Sequence, residues 1–459
     1  MDFYLKAYML GHAIIRVIGV LSLVFFIGGC AGAPPIQPQV DAFSSGAQYE
    51  SALNLLDDGK NYGKNNELLF LLDKALIEHY SGNYEASIDT FARAGHKFDE
   101  LYTKSVSKIA ETWVINDYAA PYHGEDFEYV MINVFQALNY FLLGKYEDAL
   151  VEARDVDSKL GAINLQYKDG QKNVYKEDAF ARMLMGIMYE AEGTREDIND
   201  AYISYSKAEN IYSTEYEQNY GVRVPLVLKE NLLSAAKKMG FIEYGGYALK
   251  YPHVPLISFS EKEKKAQVYL IQYNGVSPVK VEETVTVPTL DGYMVKIAFP
   301  KYKERNYAIS FSKFMAFDGK GKTAAEQTEL VQDIGAIAEK NLDNRKLRFI
   351  AKATLRATGK YILEKKEEEN IRKKRGNLAA GWFNFLANMY NLVTEKADLR
   401  AWQTLPDQIR MARLVLDPGE YNFTLENFNA DGTYLDQINL PKRTLRPGEI
   451  AVLTVHTAR

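Results

Sequence analysis

The stretch NVFQALNYFLLGKYEDALVEARDVD, Asn133 to Asp157, decides how the first half of this chain folds. Its apolar residues recur at helical spacing on either side of one glycine, so it reads as two helices joined by a turn at Gly144. Ala137 and Tyr140 lie three apart on the first helix, and Tyr146, Ala149 and Ala153 follow the turn on the second. Small side chains on facing ridges let two helix backbones approach closely, while tyrosines fill the grooves beside them.

Two other segments repeat this arrangement. FARMLMGIMYEAEGTREDINDAYISYSKAENIY (Phe180 to Tyr212) sets Gly186, Tyr189, Gly193, Ala201, Tyr205 and Ala208 at matching places if three added residues lengthen the turn after Gly193. LLDKALIEHYSGNYEASIDTFARA (Leu71 to Ala94) is more degenerate, with Ser87 where an alanine would pack. The spacing resembles the tetratricopeptide pattern, which implies stacked hairpins that curve around a concave surface. Asn133, Gln136 and Asn139 lie off the Ala137 and Tyr140 face and are expected to hold a protein partner there. The amphipathic run Pro225 to Met239 is expected to cap the array.

Beyond a stretch with YGGY and two prolines, read as a linker over 241–262, the apolar period changes to two. Strand patterns fall into two groups, 263–316 and 408–459, on either side of a segment read as a helical insertion, 317–407. Ala324 to Lys340, Lys346 to Leu363 and Asn377 to Val393 are its expected helices. The expected class is therefore α+β: tetratricopeptide-like helical hairpins over 46–240, followed by one small β-sandwich assembled from both strand groups.

A formal net charge of −5 argues against a nucleic-acid partner, which usually calls for a basic domain. AFDGKGKT (Ala316 to Thr323) fits a relaxed phosphate-loop pattern, between an expected strand and an expected helix with Thr323 as its N-cap. Ala316 removes the first glycine of that loop, and no Asp-ended strand of a parallel series stands ready to hold Mg²⁺, so nucleotide binding is a remote reading. His123, Glu125 and Asp126 cluster, yet no second His or Cys follows at ligand spacing; Gly124 turning the chain into a helix headed by acidic residues explains them. No catalytic constellation stands out, so neither enzyme activity nor a cofactor is expected.

The N-terminus bears on location. Lys6 and Arg16 precede the apolar run Val17 to Ile27, too short to span a bilayer, and then come Gly28, Gly29 and Cys30. Residues 1–29 resemble a bacterial lipoprotein signal peptide, which implies cleavage before a lipidated Cys30. Cys30 is the only cysteine, so it has no disulfide partner within the chain. Removing residues 1–29 (Lys6 and Arg16 against Asp2, +1) takes the charge from −5 to −6. Residues 30–45, rich in proline, read as a tether.

GEDFEYVMINVFQALNYFLLGKYEDALVEARDV, IAFPKY and EKADLRAWQTLPDQIRMARLVLDPGEY together resemble a family of Gram-negative outer-membrane lipoproteins to which no activity is assigned. The resemblance implies an outer-membrane protein, lipid-anchored through Cys30 and facing the periplasm; the helix expected at 377–393 reads as core-packing, with a membrane-surface helix beside the basic run Arg372 to Arg375 as the alternative. Asp398, Arg400, Trp402, Leu405, Pro406 and Arg413 match its C-terminal motif. An Arg–Asp network joining the helical insertion to the sandwich is their expected role, with a partner-binding edge involving Trp402 and Arg413 as the sharper option. The expected function is thus a partner-binding scaffold of the cell envelope. The alternative is an envelope glycan binder or glycan-processing enzyme using the many tyrosines, 32 in all, to stack on sugars.

Cys30→Ser should leave an uncleaved precursor or release the protein from membranes. Fractionation checks this: a mature-sized band still in the outer membrane would show that anchoring does not run through Cys30.

Overall fold

A computed structural model describes residues 36–56, 59–107, 120–165, 175–288, 294–321, 323–344, 365–373 and 396–458. The signal peptide, Cys30 and the expected helices at 346–363 and 377–393 lie outside the described residues.

Two short helices, α1 (Gln37–Ser45) and α2 (Tyr49–Leu55), lead into three antiparallel hairpins; the tether read over 30–45 is thus helical from Gln37, where Gln37 and Val40 are buried. These pair α3 (Glu67–Tyr80) with α4 (Tyr84–Ser107), α5 (Asp126–Leu142) with α6 (Tyr146–Leu165), and α7 (Ala179–Glu192) with α8 (Arg195–Ile211). The helices α9 (Leu226–Met239) and α10 (Phe241–Lys250) close the stack. Gly124 turns at φ +74°, and α5 then starts in a capping box between Glu125 and Glu128. Gly144 makes the second turn at φ +72°, where a side chain would be strained. Ala137, Ala149 and Ala201 are buried to 1% exposure or less, while Tyr140 and Tyr146 are partly buried against the core. Gly186 is a close approach between the two helices of the third hairpin: a Cβ there would come within 2.3 Å of the Tyr205 ring.

Several expectations need correction. The residues added to the third repeat do not lengthen its turn, because Thr194 and Asp197 form a capping box that starts α8 directly after Gly193. The stretch read as a linker holds α10, whose Tyr247 hydroxyl meets Ser206 of α8 at 2.7 Å. Ala324 to Lys340 is not one helix. It supplies two strands, and only 334–344 is helical. AFDGKGKT is accordingly a β-hairpin turn, with Phe317 paired to Thr323, so Thr323 caps no helix.

Among the described residues the strands form two four-stranded sheets and a ribbon. The first sheet has the order β10 (Ile450–Thr457), β1 (Ala266–Asn274), β7 (Gln408–Leu416), β6 (Glu329–Asp333). The second has β5 (Thr323–Gln327), β4 (Phe311–Asp318), β8 (Gly419–Phe428), β9 (Tyr434–Leu445), and β2 (Val279–Pro288) pairs with β3 (Met294–Lys303) apart from both. Both strand groups therefore contribute to one sandwich, as the period-two segments imply. β1 is buried along its whole length. Its Ala266, Val268 and Leu270 face the second sheet, whereas Tyr269, Ile271 and Tyr273 join the core of the helices. Alternation places successive side chains on opposite faces, so the first sheet is the middle layer of three. The described chain is an α+β fold in which helices pack on one face of a sandwich.

Gly186→Ala should lower stability by about 1–3 kcal/mol, because the added methyl meets a buried aromatic ring. Urea denaturation checks this. An unchanged midpoint would mean that the Tyr205 ring moves aside freely.

Candidate functional site

The inner face of the hairpins, where a partner is expected, is occupied by the chain's own first sheet. His79 of α3 is buried between α5 and β1: its Nδ1–H donates to Asn139 Oδ1 at 2.6 Å, and its Nε2 accepts from the Tyr273 hydroxyl at 2.7 Å. Asn139 Nδ2 in turn donates to Ser87 Oγ at 2.9 Å, and Ser87 donates to the Ala75 carbonyl at 2.7 Å. Asn139 is thus fully buried and spoken for. Asn133 and Gln136 are turned toward α6, where both donate to Glu152 and Asn133 accepts from Lys159 at 2.6 Å. None of the three amides lines an open groove.

Trp402 and Arg413 are buried as well. Residues 396–407 run as a strap between the helices and the sheet. The Trp402 backbone N–H donates to Glu128 at 2.8 Å, its indole donates to Thr404 at 2.9 Å, and its ring lies edge-on to Phe91. Arg400 forks onto Asp398 at 2.7 and 2.9 Å and donates to Asn66 Oδ1 and the Ala120 carbonyl, each at 3.1 Å. This Arg–Asp network ties the strap to the first two hairpins rather than joining a helical insertion to the sandwich.

Asp73 shows the same pattern. Its carboxylate accepts from Tyr62 and Thr404 at 2.7 Å and from Gln37 at 3.2 Å, and burial raises its pKa to about 7. Tyr205, Tyr212, Tyr216, Tyr269 and Tyr273 are among the largest fully buried side chains. Tyrosines consumed in the core provide no stacking surface for a sugar.

An accessible site remains at the rim of the middle layer. β5 and β6 are one run of chain broken at the buried Thr328, where it crosses from the second sheet to the first. β6 pairs with β7 only from Gln408 to Met411, and among the described residues no strand pairs with that edge of β7 from Ala412 onward, nor with the outer edge of β5. Between these edges and the start of α9 lies a groove of about 570 Å³. Sequence reading missed it because both edges come from segments distant in the chain; the Ala-rich, weakly amphipathic AAEQT was the only local signal, and it reads as helix.

The groove is acidic. Glu230, Glu326 and Glu329 line it against one cation, Arg413. Arg413 Nη2 donates to Glu230 at 2.5 Å, and its Nη1 donates to Gln267 at 2.9 Å and to Asn231. Its buried Nε has no hydrogen-bond partner among the protein atoms. Glu329 accepts from the Leu226 N–H at the start of α9, at 2.6 Å. Burial raises the pKa of Glu326, and the neighbouring Glu230 and Glu329 add to the rise. Such a site offers unpaired strand N–H and C=O groups together with excess negative charge. Among the described residues no group of three metal-ligating side chains is present.

No family model matches the chain, and no curated protein matches it. Among solved structures it is similar to a MamA RS-1 double mutant, at 13% identity over 49% of this chain and 93% of that one, with a TM-score of 0.31. A kinesin light chain of Podosopora anserina with nearly identical TPR-like repeats matches at 12% identity, over 48% of this chain and 95% of that one (TM-score 0.31). BtubC of P. vanneervenii matches at 15%, over 53% and 82% (TM-score 0.29). TM-scores this low add nothing to what the three hairpins themselves display.

Burial holds His79 neutral, with a pKa lowered from 6.5 to about 4. An unfolded chain takes up this proton near pH 6.5, while the folded chain refuses it until about pH 4. The contribution of His79 is therefore complete above about pH 6.5 and falls as acid is added through that window. The stability gap between the native protein and His79→Gln should be wider at about pH 7.5 than at about pH 5, as read by urea denaturation. Raised carboxylates such as Asp73 titrate in both proteins and cancel in the difference. An equal gap at both pH values would show that His79 is not held neutral.

Proposed function

We propose that this chain is a lipid-anchored, periplasm-facing scaffold of the outer membrane that holds an extended, basic segment of a protein partner. The observation that carries the reading is the pair of unpaired strand edges flanking an acidic groove. An extended segment laid along such an edge gains main-chain hydrogen bonds that a solvated edge lacks, and this mode of recognition needs little sequence from the partner. Lysine or arginine on that segment would answer Glu230 and Glu326. The lipoprotein-like N-terminus and the resemblance of the C-terminal motif support the envelope location.

The test uses the lipidated full-length protein in its native membranes, with a photo-crosslinking residue in place of the exposed Ala325. A discrete adduct should form, and Glu326→Arg should reduce its yield about tenfold, the loss of one charge pair at roughly 1.4 kcal/mol. Absence of any adduct, or an adduct indifferent to Glu326→Arg, would overturn the reading.

A further inference from the structure

A stack of helical hairpins needs a polar outer face at its end, since the last repeat has no neighbour to cover it. This stack ends differently. α10 (FIEYGGYALK) exposes Phe241 and Ile242 at 86% and Leu249 at 85%, matched among the described residues of the helical half only by Leu165. Positions 241, 242, 245 and 249 recur at helical spacing, so these residues and Gly245 share one outward stripe, and nothing lies within 4 Å of where a Gly245 Cβ would be. The opposite face is committed inward. Tyr247 meets Ser206, Lys237 sits 4.6 Å over the Tyr244 ring, and the Tyr251 hydroxyl just beyond the helix donates to Glu209.

The charge around the stripe identifies what would cover it. Lys237 and Lys238 are exposed in the last turn of α9 against Glu243 alone on α10, while Lys250, which closes α10, is paired with Glu209 of α8 at 2.5 Å. The end of the stack is thus locally cationic on a chain whose formal charge is −5. Bulky apolar residues bordered by lysines and tyrosines are the composition that settles at a bilayer surface, with apolar side chains below the headgroups and Lys and Tyr at their level. Ten residues span about 15 Å, too short to cross a membrane and suited to lying in its plane. We propose that α10 is a membrane-docking element that inserts Phe241, Ile242 and Leu249 into a lipid surface carrying anionic headgroups.

A single-thiol probe tests this in the full chain. Cys30→Ser removes the only native cysteine, and Leu249→Cys then accepts an environment-sensitive NBD label. On adding phosphatidylethanolamine–phosphatidylglycerol vesicles, the label should brighten and shift to the blue. Added salt or phosphatidylcholine vesicles should weaken the response, and Phe241→Ser with Ile242→Ser should abolish it. The N-terminal apolar run could bring any of these proteins to vesicles, but the label reports only the surroundings of residue 249. A label that stays in water on bound vesicles overturns the proposal, as does a response that survives the double substitution. A blue shift without vesicles that grows with protein concentration also overturns it, since a second copy would then be covering the face. None of these outcomes depends on the strand-edge groove, so either reading can fail alone.

Discussion

A neutral histidine buried between three elements sets the register of this fold. The chain of hydrogen bonds Ser87–Asn139–His79–Tyr273 runs from α4 through α5 and α3 into β1, and each donor in it has one acceptor. Side chains alternate across a strand, so sliding β1 by one residue would swing Tyr273 to the opposite face and strand the imidazole in the core. An unpaired buried polar group costs about 1–3 kcal/mol, and several would be unpaired at once. The apolar packing of Phe135, Tyr80 and Tyr273 around His79 supplies attraction without choosing a register. The polar chain chooses it.

Ionic contacts repeat this logic along the same seam. Lys262 donates to Glu190 at 2.7 Å with both side chains nearly inaccessible, and Lys280 pairs with Glu125 while donating to the Arg400 carbonyl at 2.9 Å. Burial by itself would raise Glu190, but Lys262 and Gln267 hold its pKa below the usual carboxylate value, so it remains charged in the core. Such pairs add little net stability compared with well-packed apolar residues, yet losing one partner leaves an uncompensated charge. Here each pair joins a helix to a segment more than seventy residues distant in sequence. Their effect is to reject alternative dockings of the ribbon and of the segment leading into β1 on the helices.

This seam also explains which parts of the fold were legible in the sequence. Ala137, Gly144, Ala149 and Gly186 reveal the hairpins because their constraint is local: a turn or a close approach within one helical pair. Asn133, Gln136 and Asn139 mislead because periodicity reports which residues leave a hairpin's own interface, not what covers them afterwards. Asn139 meets a histidine sixty residues earlier, and no pattern in either segment announces the pairing. AAEQTELVQD has helical propensity, but the open edges of β4 and β7 bind it as strands, the common outcome when tertiary pairing outweighs a weak preference. FIEYGGYALK reads as a linker because two glycines lower its propensity, while packing of Tyr244 and Tyr247 on the preceding helices compensates for them.

Covering the inner face of the helices leaves the chain few places to meet anything else. Both faces of the first sheet are buried, so among the described residues that sheet has only its strand edges to offer. α9 connects those edges to the end of the stack: its first turns, at Leu226, Val227 and Glu230, line the acidic groove, and its last turn carries Lys237 and Lys238 into α10. A helix of fourteen residues is about 21 Å long, and this one is buried along most of one face, so it acts as a rigid spacer. If α10 lies in a lipid surface, the groove is held no more than about this distance above it. A basic segment docked along β5 would then run close to anionic headgroups, where the same positive charge that answers Glu230 and Glu326 is attracted from both sides. The two surfaces would therefore reinforce one another for a partner that itself approaches the membrane, and a freely soluble partner would gain only the groove.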